Sequence, residues 1–134
     1  MRLSELNPYL WVAAGGALGS MLRYWSYGIV YRFLPETFPY GTLWVNILGS
    51  TFIGFFAALT AAEGRLLVPS YVRLFVMPGI CGGFTTFSTF SFETVNLARG
   101  GEFGKAGMNV AASVVFCLLG AWAGHMMATA LNER

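Results

Sequence analysis

The sequence predicts an all-α integral membrane protein, on the grounds of its composition and of its apolar spacing. Of the 134 residues, 56% are hydrophobic and 10% are charged, and the chain contains no Asp. Long apolar stretches alternate with short polar loops, and each reaches the length of about 20 residues that a helix needs to cross a bilayer. A soluble core helix would carry charges along one face at helical spacing, and these stretches do not. We therefore expect one domain, residues 1–134, of four transmembrane helices.

The first, second and fourth predicted spans are plain in composition. Tyr9–Tyr31 contains one charge, Arg23, whereas Leu43–Ala62 and Ala106–Asn132 contain none. The first span is too long for a signal peptide and has no small-residue cleavage site at its end. We therefore expect all three to be membrane helices.

The third predicted span, Leu74–Phe92, differs from the others. It is uncharged, yet it contains Pro78 and three glycines. It also has five hydroxyl groups, at Thr85, Thr86, Ser88, Thr89 and Ser91. Backbone that leaves the helix inside hydrocarbon is tolerated only where it is buried in protein or lines a wet cavity. The composition therefore predicts a helix that is broken near its middle, at Gly82 and Gly83, in the functional centre of the chain.

Positive charges are balanced between the two ends of the predicted bundle. With four spans, the two termini and the second loop share one side of the membrane, and the first and third loops share the other. The first side has Arg2, Arg65, Arg73 and Arg134, and the second has Arg32, Arg99 and Lys105, plus Arg23 if its side chain reaches that interface. The positive-inside rule then favours neither orientation. We expect oppositely oriented copies to pair as an antiparallel, dual-topology homodimer.

Small residues recur at four-residue spacing within the spans. The pairs are Gly15–Gly19, Gly16–Ser20, Ser50–Gly54 and Gly120–Gly124. Such pairs let two helices approach closely. The spacing does not distinguish packing within one subunit from packing between subunits.

Polar and aromatic residues mark a candidate pathway for a small ion. Thr42, Asn46 and Gly49 form a polar stripe at i, i+4 and i+7. The Asn46 amide can donate two hydrogen bonds, to an anion or to a neighbouring helix. Aromatic rings recur every third residue in the third span, at Phe84, Phe87 and Phe90. The positive edge of a ring attracts an anion weakly, and packing is the other interpretation of these rings.

Two charged residues are further candidates. Glu93 directly follows the third predicted span, three residues after Phe90, and an acid at such a position in a membrane segment is a functional candidate by default. An ionised, unpaired carboxylate would repel an anion, so we expect Glu93 to accept hydrogen bonds from hydroxyls such as Thr89 or to take a proton. The alternative is an acid that reaches the interface from the helix end. Arg23 either extends to the membrane interface or forms an electropositive vestibule.

Three sequence blocks indicate the family that the chain resembles. They are Gly15–Tyr24 (GGALGSMLRY), Gly41–Ser50 (GTLWVNILGS) and Gly79–Glu93 (GICGGFTTFSTFSFE). In this order across the first three spans, they resemble the signature blocks of the Fluc fluoride channels, also called the CrcB family. The resemblance implies a passive, selective channel that exports fluoride and protects a microbe from it. It also implies a dual-topology homodimer with two antiparallel pores, in a cell membrane that is the inner membrane of a bacterium.

The same resemblance implies roles for particular residues. It places Asn46, Phe87 and Phe90 on the pore, leaves Phe84 to packing, and favours a vestibule at Arg23. Ser113 matches a pore hydroxyl, whereas Asn109 stands where members often have Tyr and cannot supply a phenol. With the polar residues near them, the candidate fluoride pore consists of Thr42, Asn46, Phe87, Ser88, Thr89, Phe90, Glu93, Asn109 and Ser113.

The resemblance further implies a structural sodium ion at the dimer centre. Its ligands would be the backbone carbonyls of Gly82 and Thr85 from each subunit. The expected partners are then fluoride, sodium, the lipid bilayer and a second, antiparallel copy of the chain.

Other classes of function fit the sequence less well. A net charge of +2 is too small to predict binding to nucleic acid. The chain has no HExxH or GxSxG motif and no cluster of Asp, His and Cys, so we do not expect an enzyme. The alternative is a small four-helix, proton-coupled exporter of fluoride or of drugs. Drug exporters of that kind depend on a Glu in the first span, where this chain has only Arg23.

Overall fold

A computed structural model describes residues 3–133, with side chains from residue 7 onward. All the regular elements in that range are helices, which confirms the predicted all-α class. The first two are α1 (Leu3–Phe33) and α2 (Tyr40–Leu59), joined by a short turn. Both are long, continuous helices.

The third apolar region consists of four helical pieces. They are α3 (Ser70–Leu74), a π-helical segment (Phe75–Cys81), α4 (Gly82–Phe84) and α5 (Phe87–Arg99). Between α4 and α5, Thr85 and Thr86 are extended, with ψ angles of 158° and 110°. The helix α6 (Phe103–Asn132) follows.

Pro78 explains the irregular winding before this interruption. The residue lies inside the π-helical segment. A proline has no N–H to donate, and its ring presses on the carbonyl four residues earlier in an α-helix. The wider π turn changes that register and relieves the contact.

The interruption lies farther along the chain than the glycines. Gly82 and Gly83 both belong to α4, so the prediction that they form the interruption is wrong. The reason is that Gly83 serves helix packing: a Cβ atom there would overlap the carbonyl oxygen of Gly16 in α1. The third region stays helical through Phe84 and becomes extended at Thr85.

Three regions are long and apolar enough to cross a membrane, namely Tyr40–Leu59, Ser70–Arg99 and Phe103–Asn132. Helix α1 is long enough, with 31 residues, but Arg23 and several tyrosines lower its mean hydropathy. The three regions correspond to the predicted second, third and fourth spans. Four crossings and a single domain of residues 1–134 stay predictions.

Close helix contacts within the chain run through glycines. Helix α1 packs against the π-helical segment and α4, and α2 packs along α6. A Cβ atom at Gly15 or Gly19 would overlap a backbone carbonyl of the third region. One at Gly124 would overlap the Thr51 carbonyl of α2. Packing within one subunit therefore accounts for these small residues.

Much of the apolar surface is not covered by the chain itself. Only 11% of the most apolar part of α6 is buried. This helix exposes large side chains that include Phe116, Leu118 and Trp122. A helix that is hydrophobic on all sides needs lipid or another protein around it. The fold is therefore that of a protein with several membrane-spanning helices.

Candidate functional site

An open cleft of about 750 Å³ lies where α2, the third region and α6 meet. Its lining is mostly apolar. The predicted site residues that line it are Asn46, Gly82, Thr85, Phe87, Phe90 and Ser113. Those that lie outside its lining are Arg23, Thr42, Ser88, Thr89, Glu93 and Asn109. The cleft thus unites half of the predicted residues from three separate regions of sequence.

Asn46 holds the interrupted backbone with both ends of its amide. Its Nδ2 donates to the Thr86 carbonyl at 3.1 Å, and its Oδ1 accepts from the Thr86 amide at 2.7 Å. In a continuous helix the Thr86 amide would donate to the Gly82 carbonyl. Asn46 therefore replaces a helical hydrogen bond and leaves the Gly82 carbonyl without its usual donor. The second N–H of Nδ2 is not used in this pair.

Thr86 also begins the helix that follows. Its Oγ1 accepts from the Thr89 amide at 3.1 Å, which makes Thr86 the N-cap of α5. The same hydroxyl lies 2.9 Å from Thr89 Oγ1 and 3.2 Å from Ser88 Oγ. These bonds keep the three hydroxyls together at the start of α5. Thr86 was not among the predicted site residues, although a Thr directly before an apolar helix is a known start signal.

The rings of Phe87 and Phe90 are neighbours. Their centroids are 5.3 Å apart and their planes are inclined by 48°. Phe87 is 78% exposed, whereas Phe90 is only 8% exposed. One ring therefore projects from the chain while the other closes the cleft from inside. Phe84 is half-buried beside Gly49 of α2, as packing requires.

Glu93 is hydrogen-bonded by α2 and not by its own helix. Thr42 Oγ1 donates to Glu93 Oε1 at 3.0 Å, and the Tyr27 hydroxyl lies 2.9 Å from Thr42 Oγ1. The expectation that Glu93 accepts a hydrogen bond from a hydroxyl is met, but the donor is Thr42 and not Thr89, whose Oγ1 accepts from Thr86 Oγ1. Within residues 7–133, Glu93 Oε2 is buried without a hydrogen-bond partner.

Tyr27 was missed from the sequence. The signal for it is its spacing, because Arg23, Tyr27 and Tyr31 follow at i, i+4 and i+8 on one face of α1. All three bond to other parts of the chain. That face of α1 therefore belongs to the surroundings of the site.

Asn109 and Ser113 lie one turn apart on α6, and both are buried. Asn109 is 1% exposed, and its Nδ2 donates to Thr94 Oγ1 at 2.9 Å. Among the described residues, Asn109 Oδ1 and Ser113 Oγ have no hydrogen-bond partner. A buried polar atom without a partner is costly. These atoms are therefore available to water or to an ion. Thr94, like Thr86 and Tyr27, is a residue that the sequence did not indicate.

Arg23 points to the interruption and not to a helix end. Its guanidinium donates to the Thr85 carbonyl at 3.4 Å, a long hydrogen bond. The positive charge thus lies beside the extended backbone, near the cleft. The electropositive vestibule at Arg23 stays a prediction.

The backbone carbonyl oxygens of Gly82 and Thr85 are ligands of the kind that a hard monovalent cation prefers. Gly82 is exposed, and its carbonyl has lost the donor that a continuous helix would supply. The Thr85 carbonyl has two lone pairs, and Arg23 uses one of them. No group of three or more His, Cys, Asp or Glu side chains comes together among the described residues, so the oxygen ligands here are neutral.

Comparison with known proteins agrees with the resemblance. The family model described as CrcB-like protein, Camphor Resistance (CrcB), matches residues 10–125, which contain every predicted site residue. A protein of Opitutus terrae named fluoride-specific ion channel FluC is 56% identical over 96% of this chain and 97% of its own length. Proteins with the same name are 54% identical in Methylocella silvestris and in Rhodospirillum rubrum. Each of these two matches covers 93% of this chain, and 95% and 97% of the respective relatives. The chain is therefore a multi-pass membrane protein that belongs to the CrcB family.

Proposed function

We propose that the chain forms a passive, selective fluoride channel in a cell membrane, the inner membrane if the source is a bacterium. The observation that carries this proposal is the bond between Asn46 and the Thr86 backbone. It holds the interruption beside the rings of Phe87 and Phe90, in a chain whose relatives are named fluoride-specific ion channels.

The chemistry of fluoride explains why such a site suits it. Fluoride is small and strongly hydrated, so a pore must offer hydrogen-bond donors without holding the ion too tightly. The free N–H of Asn46, the hydroxyl of Ser113 and the ring edges of the phenylalanines are donors of graded strength. The hydroxyls of Ser88 and Thr89 continue this series at the start of α5. Neutral donors of this kind favour passage over capture.

The open cleft supports a second subunit as part of the pathway. One copy leaves the Phe87 ring 78% exposed and the cleft uncovered. An antiparallel copy of the chain would cover both and would generate two pores related by symmetry. In this arrangement α1 is a fourth crossing, and the interruption at Thr85 lies within the membrane, where it is tolerated because protein surrounds it.

Fluoride and chloride efflux from liposomes tests the proposal directly. The purified protein is reconstituted, both ions are loaded, and each is followed by an ion-selective electrode. We expect rapid loss of fluoride with retention of chloride. Equal loss of both ions would contradict a selective channel. Efflux that requires an imposed proton gradient would support the proton-coupled exporter in its place.

Dual topology is tested by the side on which the C-terminus lies. We expect a tag there to be found on both sides of the membrane, because the positive charges outside the predicted spans are nearly balanced, four against three when Arg23 is left with the interruption. The Arg65 amide donates to Asn132 Oδ1 at 2.8 Å, so the second loop and the end of α6 share one side. Arg2 and Arg134 of this balance lie outside the described residues. Added lysines after the C-terminus are the control and should shift the tag to the cytoplasmic side.

A uniform orientation of the unmodified protein would contradict the antiparallel dimer. Such a result would leave the fluoride channel itself possible only as a parallel assembly. The measurement therefore separates the architecture from the transported ion.

A structural sodium ion gives another testable expectation. When bound at Gly82 and Thr85, it would supply a positive charge that favours an anion nearby. We expect fluoride flux to fall when the protein is prepared and assayed without sodium, with a large organic cation on both sides. Reversal of a sodium gradient at fixed fluoride should leave the direction of flux unchanged. Uphill movement of fluoride driven by sodium would contradict a structural ion.

A further inference from the structure

Three side chains from three helices form one hydrogen-bonded chain. The Tyr27 hydroxyl of α1 lies 2.9 Å from Thr42 Oγ1 of α2, which donates at 3.0 Å to Glu93 Oε1 of α5. A threonine hydroxyl has a single proton. Because Thr42 gives that proton to Glu93, Tyr27 must be the donor to Thr42. The chain therefore runs in one direction, from phenol to carboxylate.

The position of Tyr27 is set by its surroundings. A Cβ atom at Gly41 would lie 3.0 Å from Tyr27 Cδ1 and 2.9 Å from Tyr31 Cε2, so both rings rest on this glycine. The Tyr31 hydroxyl also accepts from the Gly41 amide at 3.2 Å. The first turn of α2 and the two tyrosine rings thus fix each other's positions. Thr42, which is 1% exposed, is brought under the Tyr27 phenol by the same contact.

Thr42 uses its hydroxyl differently from other threonines of this fold. Thr51, Thr60 and Thr94 each donate to the carbonyl four residues earlier in their own helix. Thr42 lies in the first turn of α2, and its proton is directed across to Glu93. The nearby polar groups are directed elsewhere, since Thr89 Oγ1 accepts from Thr86 and Asn109 Nδ2 donates to Thr94.

We propose that Tyr27 is a positioning residue for fluoride passage, which acts by directing the Thr42 proton to Glu93. The proposal rests on the proposed function of the chain as a fluoride channel. A hydroxyl that accepts one hydrogen bond becomes a stronger donor in the next. Tyr27 therefore strengthens the bond that holds one oxygen of Glu93 and offsets its negative charge. Without the phenol, the carboxylate is less restrained beside the ion pathway and repels the anion more strongly.

The test removes one oxygen atom from α1. Tyr27→Phe is expected to lower maximal fluoride flux on the order of tenfold, as loss of a hydrogen bond that supports a charged group does. The matched control is Tyr24→Phe, whose residue lies on the same helix and is 83% exposed. We expect the control to keep the wild-type flux. Tyr27→Leu, a second variant without a hydroxyl, replaces Tyr27→Phe if the latter is not recovered as folded protein.

A double-mutant cycle with Thr42→Val separates positioning from packing. If Tyr27 acts through Thr42, the fluoride flux of the double variant should be within about twofold of the flux of the Thr42→Val variant, because the two residues belong to one network. Flux is measured per folded protein, with the melting temperature recorded for each variant. The proposal would be overturned if the flux loss in the double variant equalled the product of the losses in the two single variants. Wild-type flux in the Tyr27→Phe variant would also overturn it. If the wild-type protein itself transports no fluoride, it is the proposed channel function that fails.

Discussion

Asn46→Leu is expected to abolish measurable fluoride flux while the protein still inserts in the membrane. Leucine keeps a comparable volume on α2 but can bond to neither the amide nor the carbonyl of Thr86. Thr86 is 6% exposed, so both backbone groups would be left buried without partners. Each unpaired group costs about 1–3 kcal/mol. Two such groups at about 1.4 kcal/mol each make the conducting arrangement at least about 100-fold less populated, which lowers fluoride flux to the background of protein-free liposomes.

The free N–H of Asn46 disappears in the same variant, so two contributions need to be separated. Asn46→Asp keeps an oxygen that can accept from the Thr86 amide but has no N–H for its carbonyl or for an anion. We expect Asn46→Asp also to conduct poorly, with the folded state retained. Leu48→Ala is the matched control, because Leu48 lies on the same helix and is 40% exposed. Flux near the wild-type value in the Asn46→Leu variant would show that the amide is only a contact between helices.

Replacement of the two rings is expected to give the next largest effect. Phe87→Ile and Phe90→Ile keep an apolar side chain but remove the ring edge that attracts an anion. We expect each variant to lower fluoride flux by up to about tenfold, because edge interactions of aromatic rings are worth about 0.5–1.5 kcal/mol and 1.4 kcal/mol corresponds to a factor of ten. The measurement is fluoride efflux from liposomes per folded protein. The two positions provide different information, because one ring is exposed and the other is buried.

Phe84→Ile serves as the control for this prediction. Phe84 packs beside Gly49 and does not line the cleft. Its replacement should change stability more than flux. If Phe84→Ile lowers flux as much as the other two variants do, or if all three conduct normally, the rings are packing groups. A loss confined to Phe90→Ile would indicate that the projecting Phe87 ring serves subunit contact and not the ion.

The sequence can indicate a candidate residue when the signal lies in composition or in spacing along one helix. Asn46 and Gly49 were found because a polar stripe on an apolar helix is conspicuous, and both line the cleft. The spacing marked Phe84, Phe87 and Phe90 alike, and it was the family resemblance that selected Phe87 and Phe90. Thr86 and Thr94 were missed because their importance lies in partners from distant sequence. No local pattern reports that the amide of Asn46 will reach a backbone 40 residues away.

The position of the interruption also depends on partners that are distant in sequence. Glycine-rich sequence and Pro78 correctly indicate that the third region departs from a regular α-helix. They do not indicate where the departure falls, because a glycine serves either flexibility or close approach. Gly83 serves close approach to α1, and the Asn46 side chain offers hydrogen bonds to Thr86. The backbone therefore opens where a partner satisfies it.

The sequence by itself determined the all-α class and three membrane-capable regions. These follow from hydropathy and helical spacing, which are properties of the chain read in order. Only the tertiary structure decided that Thr42 and not Thr89 donates to Glu93, and that the Tyr27 hydroxyl is hydrogen-bonded to Thr42. It also decided that Arg23 points to the Thr85 carbonyl. The physical reason is that buried polar groups take whichever partner packing brings within reach, and packing brings together residues that are far apart in sequence.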